Sequence, residues 1–355
     1  MASAAGPLRG APLDWLAHKR DRCTVGHPNG GAPVSVRTDF WKGVPGGVDS
    51  DGSGRFVRRD SIFRRWVSTE AGAEFPAEPG RYHLYVSLGC PWANRTVTVR
   101  ALKGLEEVVG VSVVDPIRDS KGWAFRDAPG ATGDPLNGFE YLSEAYQRSD
   151  PGYDDRYSVP VLWDRATGQI VNNESSEIIV MLNGAFNEWA EHPEVDLYPA
   201  HLRAEIDAIN EWVYSGLNNG VYRAGFASSQ QAYDEAVGPV FETLDRIDAL
   251  LAERRYLAGS QHTLADWRAF PTLMRFDLVY HGLFRCNRRR VIDYHNLWPY
   301  LRDLYRTPRV APTVNFDHFI RGYNLNLPQL NPAGIIPIGP DLDFWEPHGR
   351  ESRRG

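Results

Sequence analysis

Cys90 is the residue whose type and setting point most directly to chemistry. It closes the apolar run YHLYVSLGC and is followed by Pro91, which suits the first turn of a helix because its missing N–H would be unpaired there anyway. A cysteine at such a strand-to-helix junction meets unpaired N–H groups and the positive end of the helix dipole. That setting can bring a thiol pKa down from about 8.5 to about 3.5–7.5, and the thiolate is the nucleophile. The segment reads Cys90-Pro91-Trp92-Ala93, a dithiol CxxC motif without its second cysteine. A lone thiolate cannot resolve its own mixed disulfide with an internal thiol, so a second thiol must come from solution. The pattern points to a thiol-dependent reductase or transferase and away from a dithiol oxidant. The competing reading, Cys90 as a small buried hydrophobe, does not use the strand–Cys–Pro–helix context.

Two further pairs accompany it. Val159-Pro160 opens a strand, where proline cannot donate to the ladder. Were the bond cis, the Val159 backbone would turn toward the thiol and pair with a peptide-like cosubstrate, although most X–Pro bonds are trans. Glu174-Ser175 opens a helix, whose N–H groups and serine hydroxyl suit a carboxylate while Glu174 suits an ammonium. A plain helix cap explains the same pair. Cys23 and Cys286 have no comparable context and read as structural. The ten histidines show no zinc spacing, and no dinucleotide loop, P-loop or GxSxG motif occurs.

These residues need a scaffold. Residues 1–75 show little periodicity and read as an arm, with a loop at Gly43–Gly54 and with Phe40, Trp41, Phe56, Phe63 and Trp66 as anchors. Tyr82–Leu88 reads as a strand, Trp92–Lys103 as a helix stopped by Gly104, and Val108–Val114 as a second strand, together a βαβ unit. A long excursion spans Pro116–Tyr157. Val159–Asp164 and Gln169–Val171 then form a hairpin, and Glu174 begins a helix running through Leu182. This order, βαβ then ββα, is that of a thioredoxin-like domain. From about Asp196 the pattern is all-helical: Leu202–Leu217, Ala236–Leu251, Ser260–Val279 with a capping box at Thr263–Asp266, and Leu297–Tyr305. From Asn324 a tail rich in Pro, Gly and Asn reads as extended. The expected division is an arm at 1–75, a thioredoxin-like domain at 76–195, a helical domain at 196–325 and a tail at 326–355.

Composition bounds the function. The 355 residues are 42% hydrophobic and 24% charged, which excludes a wholly disordered chain. A net charge of −6 argues against a nucleic-acid-binding surface spread over the whole protein and leaves a local basic patch open. No apolar run reaches the roughly 18–20 residues of a membrane span, and Met1–Gly10 lacks a signal-peptide core. Three cysteines without a signal read as reduced and cytoplasmic. Lysine occurs only at Lys19, Lys42, Lys103 and Lys121 among 39 basic residues, the mark of a GC-rich genome.

Cys90-Pro91-Trp92-Ala93, Gly122-Trp123, Val159–Asp164, Asn173–Ile178, Asn218–Tyr222, Thr313–His318 and Asn331–Pro340 together resemble the glutathionyl-hydroquinone reductases, the Xi class of glutathione transferases. The runs NNGVY and NPAGIIPIGP are the most specific, and the resemblance spans about residues 35 to 350. It implies a thioredoxin-like domain followed by an all-helical glutathione-transferase domain, and a homodimer with no tightly bound cofactor. It implies that Cys90 attacks the sulfur of a glutathionyl-hydroquinone and that glutathione then resolves the mixed disulfide. It places Trp92, Trp123, Val159, Glu174 and Ser175 at glutathione, and Tyr222 and Tyr323 beside the aromatic substrate. At Asn94 this sequence departs from the family's usual His. Mycothiol stays open as the thiol, because GC-rich bacteria of some groups make it instead of glutathione. A non-catalytic carrier of aromatic ligands on the same fold is the reading from another class.

Overall fold

The computed structural model describes residues 49–353. Phe40, Trp41, Cys23 and the first part of the expected Gly43–Gly54 loop lie outside them. The described part of the arm has four two-residue strands. β1 (Asp49–Ser50) pairs with β2 (Phe56–Val57) antiparallel, and β3 (Val67–Ser68) with β4 (Phe75–Pro76) parallel. Phe56 packs on Phe226 with ring centres 5.4 Å apart, and Phe63 on Tyr146 at 5.6 Å. Trp66 is no anchor, contrary to expectation. It is 45% exposed, because successive residues of an extended chain face opposite ways and its neighbour Val67 takes the buried side.

β5 (Tyr82–Val86) is buried at every residue, as a central strand must be. The chain then turns into α1 (Pro91–Lys103), with Cys90 as N-cap and Pro91 at the first helical position. Gly104 ends the helix in the left-handed conformation at φ 63°, where a side chain would be strained. β6 (Val109–Val113) returns parallel to β5. The excursion after it contains a helix that periodicity did not disclose, α2 (Leu142–Ser149), whose Glu144 carboxylate accepts the Tyr141 N–H at 2.8 Å. β7 (Val161–Asp164) runs antiparallel to β5, and β8 (Gln169–Asn172) antiparallel to β7. The four-stranded order is β6-β5-β7-β8. α3 (Ser175–Gly184) packs against α1.

The helical half contains α4 (Arg203–Val213), α5 (Gly220–Gly225), α6 (Gln230–Glu253), α7 (Leu264–Arg275), α8 (Leu297–Tyr305) and α9 (Phe316–Asn326). α7 begins at the expected capping box. Asp266, fully buried, accepts the Thr263 N–H at 2.7 Å, the Leu257 N–H at 2.9 Å and the Tyr300 hydroxyl at 2.7 Å. The Thr263 hydroxyl adds a fourth bond to the same carboxylate at 3.1 Å, and at the other end of α7 Arg275 bonds Asn94 of α1. π-helical turns follow α4 at Tyr214–Asn218 and α7 at Phe276–Tyr280. The tail begins later than expected. α9 continues through Asn324 to Asn326, and its Asn315 N-cap accepts the His318 N–H at 3.0 Å. Among the described residues no helix is long and apolar enough to cross a membrane.

Candidate active site

A cavity of about 240 Å3 opens between the N-terminus of α1, the start of β7, the start of α3 and helices α5 and α9. Its wall contains Cys90, Trp92, Trp123 and Val159 on one side, Glu174 and Ser175 at the α3 end, and Tyr222 and Tyr323 from the helical half. All eight candidate residues from the sequence therefore meet around one space.

Cys90 has extended backbone at φ −81° and ψ 125°, which aims its side chain off the helix start. Its thiol donates to the Val159 carbonyl at 3.6 Å across the cis Val159-Pro160 bond. The strand-to-helix setting by itself predicts a lowered thiol pKa. Here burial is the largest influence and pushes it up. The N–H groups of Ala93 and Trp92, then the positive charges of Arg275 and Arg58, pull it back toward the thiolate. The helix start does favour the anion, as expected, but the depth of the sulfur in the protein outweighs it.

Trp92 is held between two cations, with the Arg58 guanidinium 4.8 Å and the Arg95 guanidinium 4.5 Å from its ring centre. Trp123 is placed by a tight turn at Asp119–Gly122, and the Arg118 guanidinium lies 5.1 Å from its ring.

Glu174 is both helix cap and pocket wall. Its Oε1 accepts the Ser176 N–H at 2.9 Å and the Ser176 hydroxyl at 2.8 Å, and its Oε2 accepts the Ser61 hydroxyl at 3.3 Å. Burial pushes its pKa up, but the Ser176 bonds and the Arg95 and Arg64 charges outweigh it and hold the carboxyl below the usual carboxylate range. It stays ionised, as an ammonium partner requires. The Ser175 hydroxyl accepts from Arg95 at 3.4 Å.

The tyrosines form a chain. The Tyr222 and Tyr323 hydroxyls are 2.5 Å apart, and Tyr323 and Tyr280 are 2.8 Å apart. Burial raises the pKa of all three, so each holds its proton and can donate.

Several residues here escaped the sequence reading. Tyr280 is one of 16 tyrosines and sits at the end of a π-helical turn, which shifts the phase that a helical period would forecast. Phe56, Arg58, Arg59, Asp60 and Ser61 of the arm line the cavity, so the arm completes the site. Arg58 is fixed by its Nε donating to Asn219 at 2.6 Å and by the Tyr222 ring 4.8 Å from its guanidinium. No local pattern marks these residues, since the arm is aperiodic and its partners lie 160 residues away. Asn94 is fully buried and is not part of the cavity wall; it bonds the Thr313 carbonyl at 2.8 Å. Cys286 is buried and its thiol is pushed up to about 12 by burial, which fits a structural role.

Residues 89–185 match the family model for the glutathione S-transferase N-terminal domain, and residues 230–303 that for the C-terminal domain. The chain is 50% identical over 309 residues to the glutathionyl-hydroquinone reductase YqjG of Escherichia coli (strain K12), covering 85% of this chain and 94% of that one. It is 49% identical over 287 residues to the glutathionyl-hydroquinone reductase PcpF of Sphingobium chlorophenolicum, covering 81% and 90%. The glutathione-bound structure of YqjG superposes with a TM-score of 0.80 at 50% identity, covering 82% of this chain and 97% of that one.

Proposed function

The chain belongs to the glutathionyl-hydroquinone reductases, the Xi class of glutathione transferases, and on that premise we propose how its pocket works. The enzyme reduces glutathionyl-hydroquinones at the expense of glutathione. In the first half-reaction the Cys90 thiolate attacks the sulfur that joins glutathione to the ring. The sulfur–ring bond breaks, the ring carbon takes a proton, and hydroquinone leaves while Cys90 keeps glutathione as a mixed disulfide. In the second, a glutathione thiolate attacks that disulfide, oxidised glutathione forms and Cys90 is freed. The sum is adduct plus glutathione giving hydroquinone plus oxidised glutathione.

The observation that carries this assignment of roles is the arrangement around one cavity of a nucleophilic sulfur, a peptide edge and a phenol pair. The Val159 backbone offers the peptide edge to the tripeptide. Glu174, ionised and capping α3, takes the γ-glutamyl ammonium, while the α3 N-terminus and Ser175 take its carboxylate. Trp92 and Trp123 wall the cysteinyl portion. Tyr222 and Tyr323 donate to the ring oxygens, where negative charge develops as the ring departs. Four arginines and two carboxylates line the cavity, a balance that suits a thiol carrying two carboxylates and one ammonium. Mycothiol lacks that ammonium and would leave the ionised Glu174 carboxylate with only its Ser176 and Ser61 bonds. The second reading, a non-catalytic carrier of aromatic ligands, makes no use of the sulfur.

The test is intact mass after incubation with oxidised glutathione or with mycothiol disulfide. One glutathione adduct is expected, lost in Cys90→Ala, with none from mycothiol disulfide. An adduct that persists in the variant would remove Cys90 from the mechanism, and one from mycothiol disulfide alone would reassign the thiol.

We place the enzyme in the cytoplasm, where glutathione is kept reduced, and as a homodimer. Ile335 and Ile336 of the tail are 68% and 41% exposed and offer apolar surface for pairing. Light scattering should return twice the 40.0 kDa of one chain; the mass of a single chain would overturn the dimer.

A further inference from the structure

Arg275, the last residue of α7, is fully buried. Its Nε donates to the Gly89 carbonyl at 3.1 Å and its Nη2 to the Leu88 carbonyl at 2.9 Å. Its Nη1 donates to the Pro271 carbonyl at 2.8 Å and to Asn94 Oδ1 at 3.3 Å. The guanidinium lies 4.7 Å from the centre of the Phe319 ring. All four acceptors are neutral oxygens, and among the described residues no carboxylate forms an ion pair with it. A charge taken out of water without a counter-ion is costly, and proteins rarely keep one without a use.

Its position suggests the use. Leu88 and Gly89 are the two residues before Cys90, whose own N–H donates to Ser87 at 3.0 Å. A helix of the second half thus grips the loop that carries the sulfur. Asn94 belongs to the same arrangement, with its Nδ2 on Thr313 and its Oδ1 on Arg275. A neutral amide at this place orients the guanidinium without cancelling its charge.

We propose that Arg275 is a positioning residue for Cys90, pinning the Leu88–Gly89 loop and holding beside the sulfur a positive charge that only the thiolate balances. The proposal rests on Cys90 as nucleophile. Other charged or titratable groups about the sulfur are Arg58 from the arm, Arg95 from α1, Arg118 from the loop after β6 and Tyr222 from α5, with Glu174 of α3 and Tyr323 of α9 on the same cavity wall. Arg58 is fixed among Phe56, Trp92 and Tyr222, and Arg95 is bonded to Asn218 and to the Arg268 carbonyl. Neither reaches the Leu88 or Gly89 carbonyl. Of the charges drawing the thiol toward its ionised form, Arg275 acts most strongly.

The experiment is the pH dependence of iodoacetamide alkylation at Cys90, followed by mass on the peptide that contains it. It reads the thiol directly and needs no substrate, so it stands apart from whether Cys90 turns over adducts. Arg275→Met should raise the apparent thiol pKa by about one unit and slow alkylation at pH 7 about tenfold. Arg275→Lys, which keeps the charge, should stay within about threefold of the parent. Asn94→Asp sets a carboxylate against the guanidinium, gives up the Nδ2 bond to the Thr313 carbonyl, and should slow alkylation in the same direction, with a cooperative melt checking that the variant folds. If Arg275→Met does not fold, Asn94→Asp decides. An unchanged titration in the folded variants, or equal loss in Arg275→Lys and Arg275→Met, would overturn the proposal and leave Arg275 as packing.

Discussion

Cys90→Ser is expected to lose turnover of a glutathionyl-hydroquinone to below about a thousandth of the parent rate, with the fold intact. Serine keeps the volume and the N-cap, since its oxygen accepts from helix N–H groups at least as well as sulfur does. It cannot form a disulfide, so neither half-reaction can proceed through it. The Val159 carbonyl, which accepts the Cys90 thiol, would accept the serine hydroxyl equally, so the local backbone has no reason to move. Steady-state release of hydroquinone measures the loss, and a cooperative melt near the parent temperature excludes unfolding. Turnover above about a tenth of the parent would remove the covalent mechanism altogether.

Tyr222→Phe and Tyr323→Phe should each slow the first half-reaction about a hundredfold and leave the second nearly unchanged. The reasoning is that negative charge develops on the departing ring, whereas resolution of the mixed disulfide by glutathione involves no ring. Tyr323 lies between Tyr222 and Tyr280, so its loss also deprives both neighbours of a partner, and the larger effect is expected there. All three hydroxyls stay protonated through neutral pH, because burial raises their pKa values. Rapid mixing of enzyme with adduct reads the first step, and glutathione added to preformed mixed disulfide reads the second. Equal slowing of both steps would make the tyrosines general supports of the cleft rather than donors to the ring.

The thiol half of the site was legible in the sequence because its determinants are local. Cys90-Pro91, Val159-Pro160 and Glu174-Ser175 each sit at an element end whose backbone groups do the work, and an element end has a signature only a few residues long. Strands β5 to β8 and helices α1, α3, α6 and α8 followed from apolar periodicity and from Gly and Pro punctuation. α2 and α9 were not so legible. α2 has only 8 residues and lies inside the long aperiodic excursion, and α9 lies next to a tail rich in Pro and Asn that masks it.

What only the tertiary structure decided is the balance of forces on the sulfur and the identity of its distant neighbours. A helix start favours a thiolate in any sequence, yet whether burial outweighs it depends on what closes over the cysteine, and that comes from the arm and from α7. Arg58 and Arg275 lie 32 and 185 positions from Cys90, each in a segment where nothing nearby distinguishes one arginine from the many others. Tyr280 joins Tyr323 only because a π-helical turn resets the face of the chain after Arg275. Short-range chemistry is written in neighbouring residues; the electrostatics of a buried group is a sum over everything that folding brings near it.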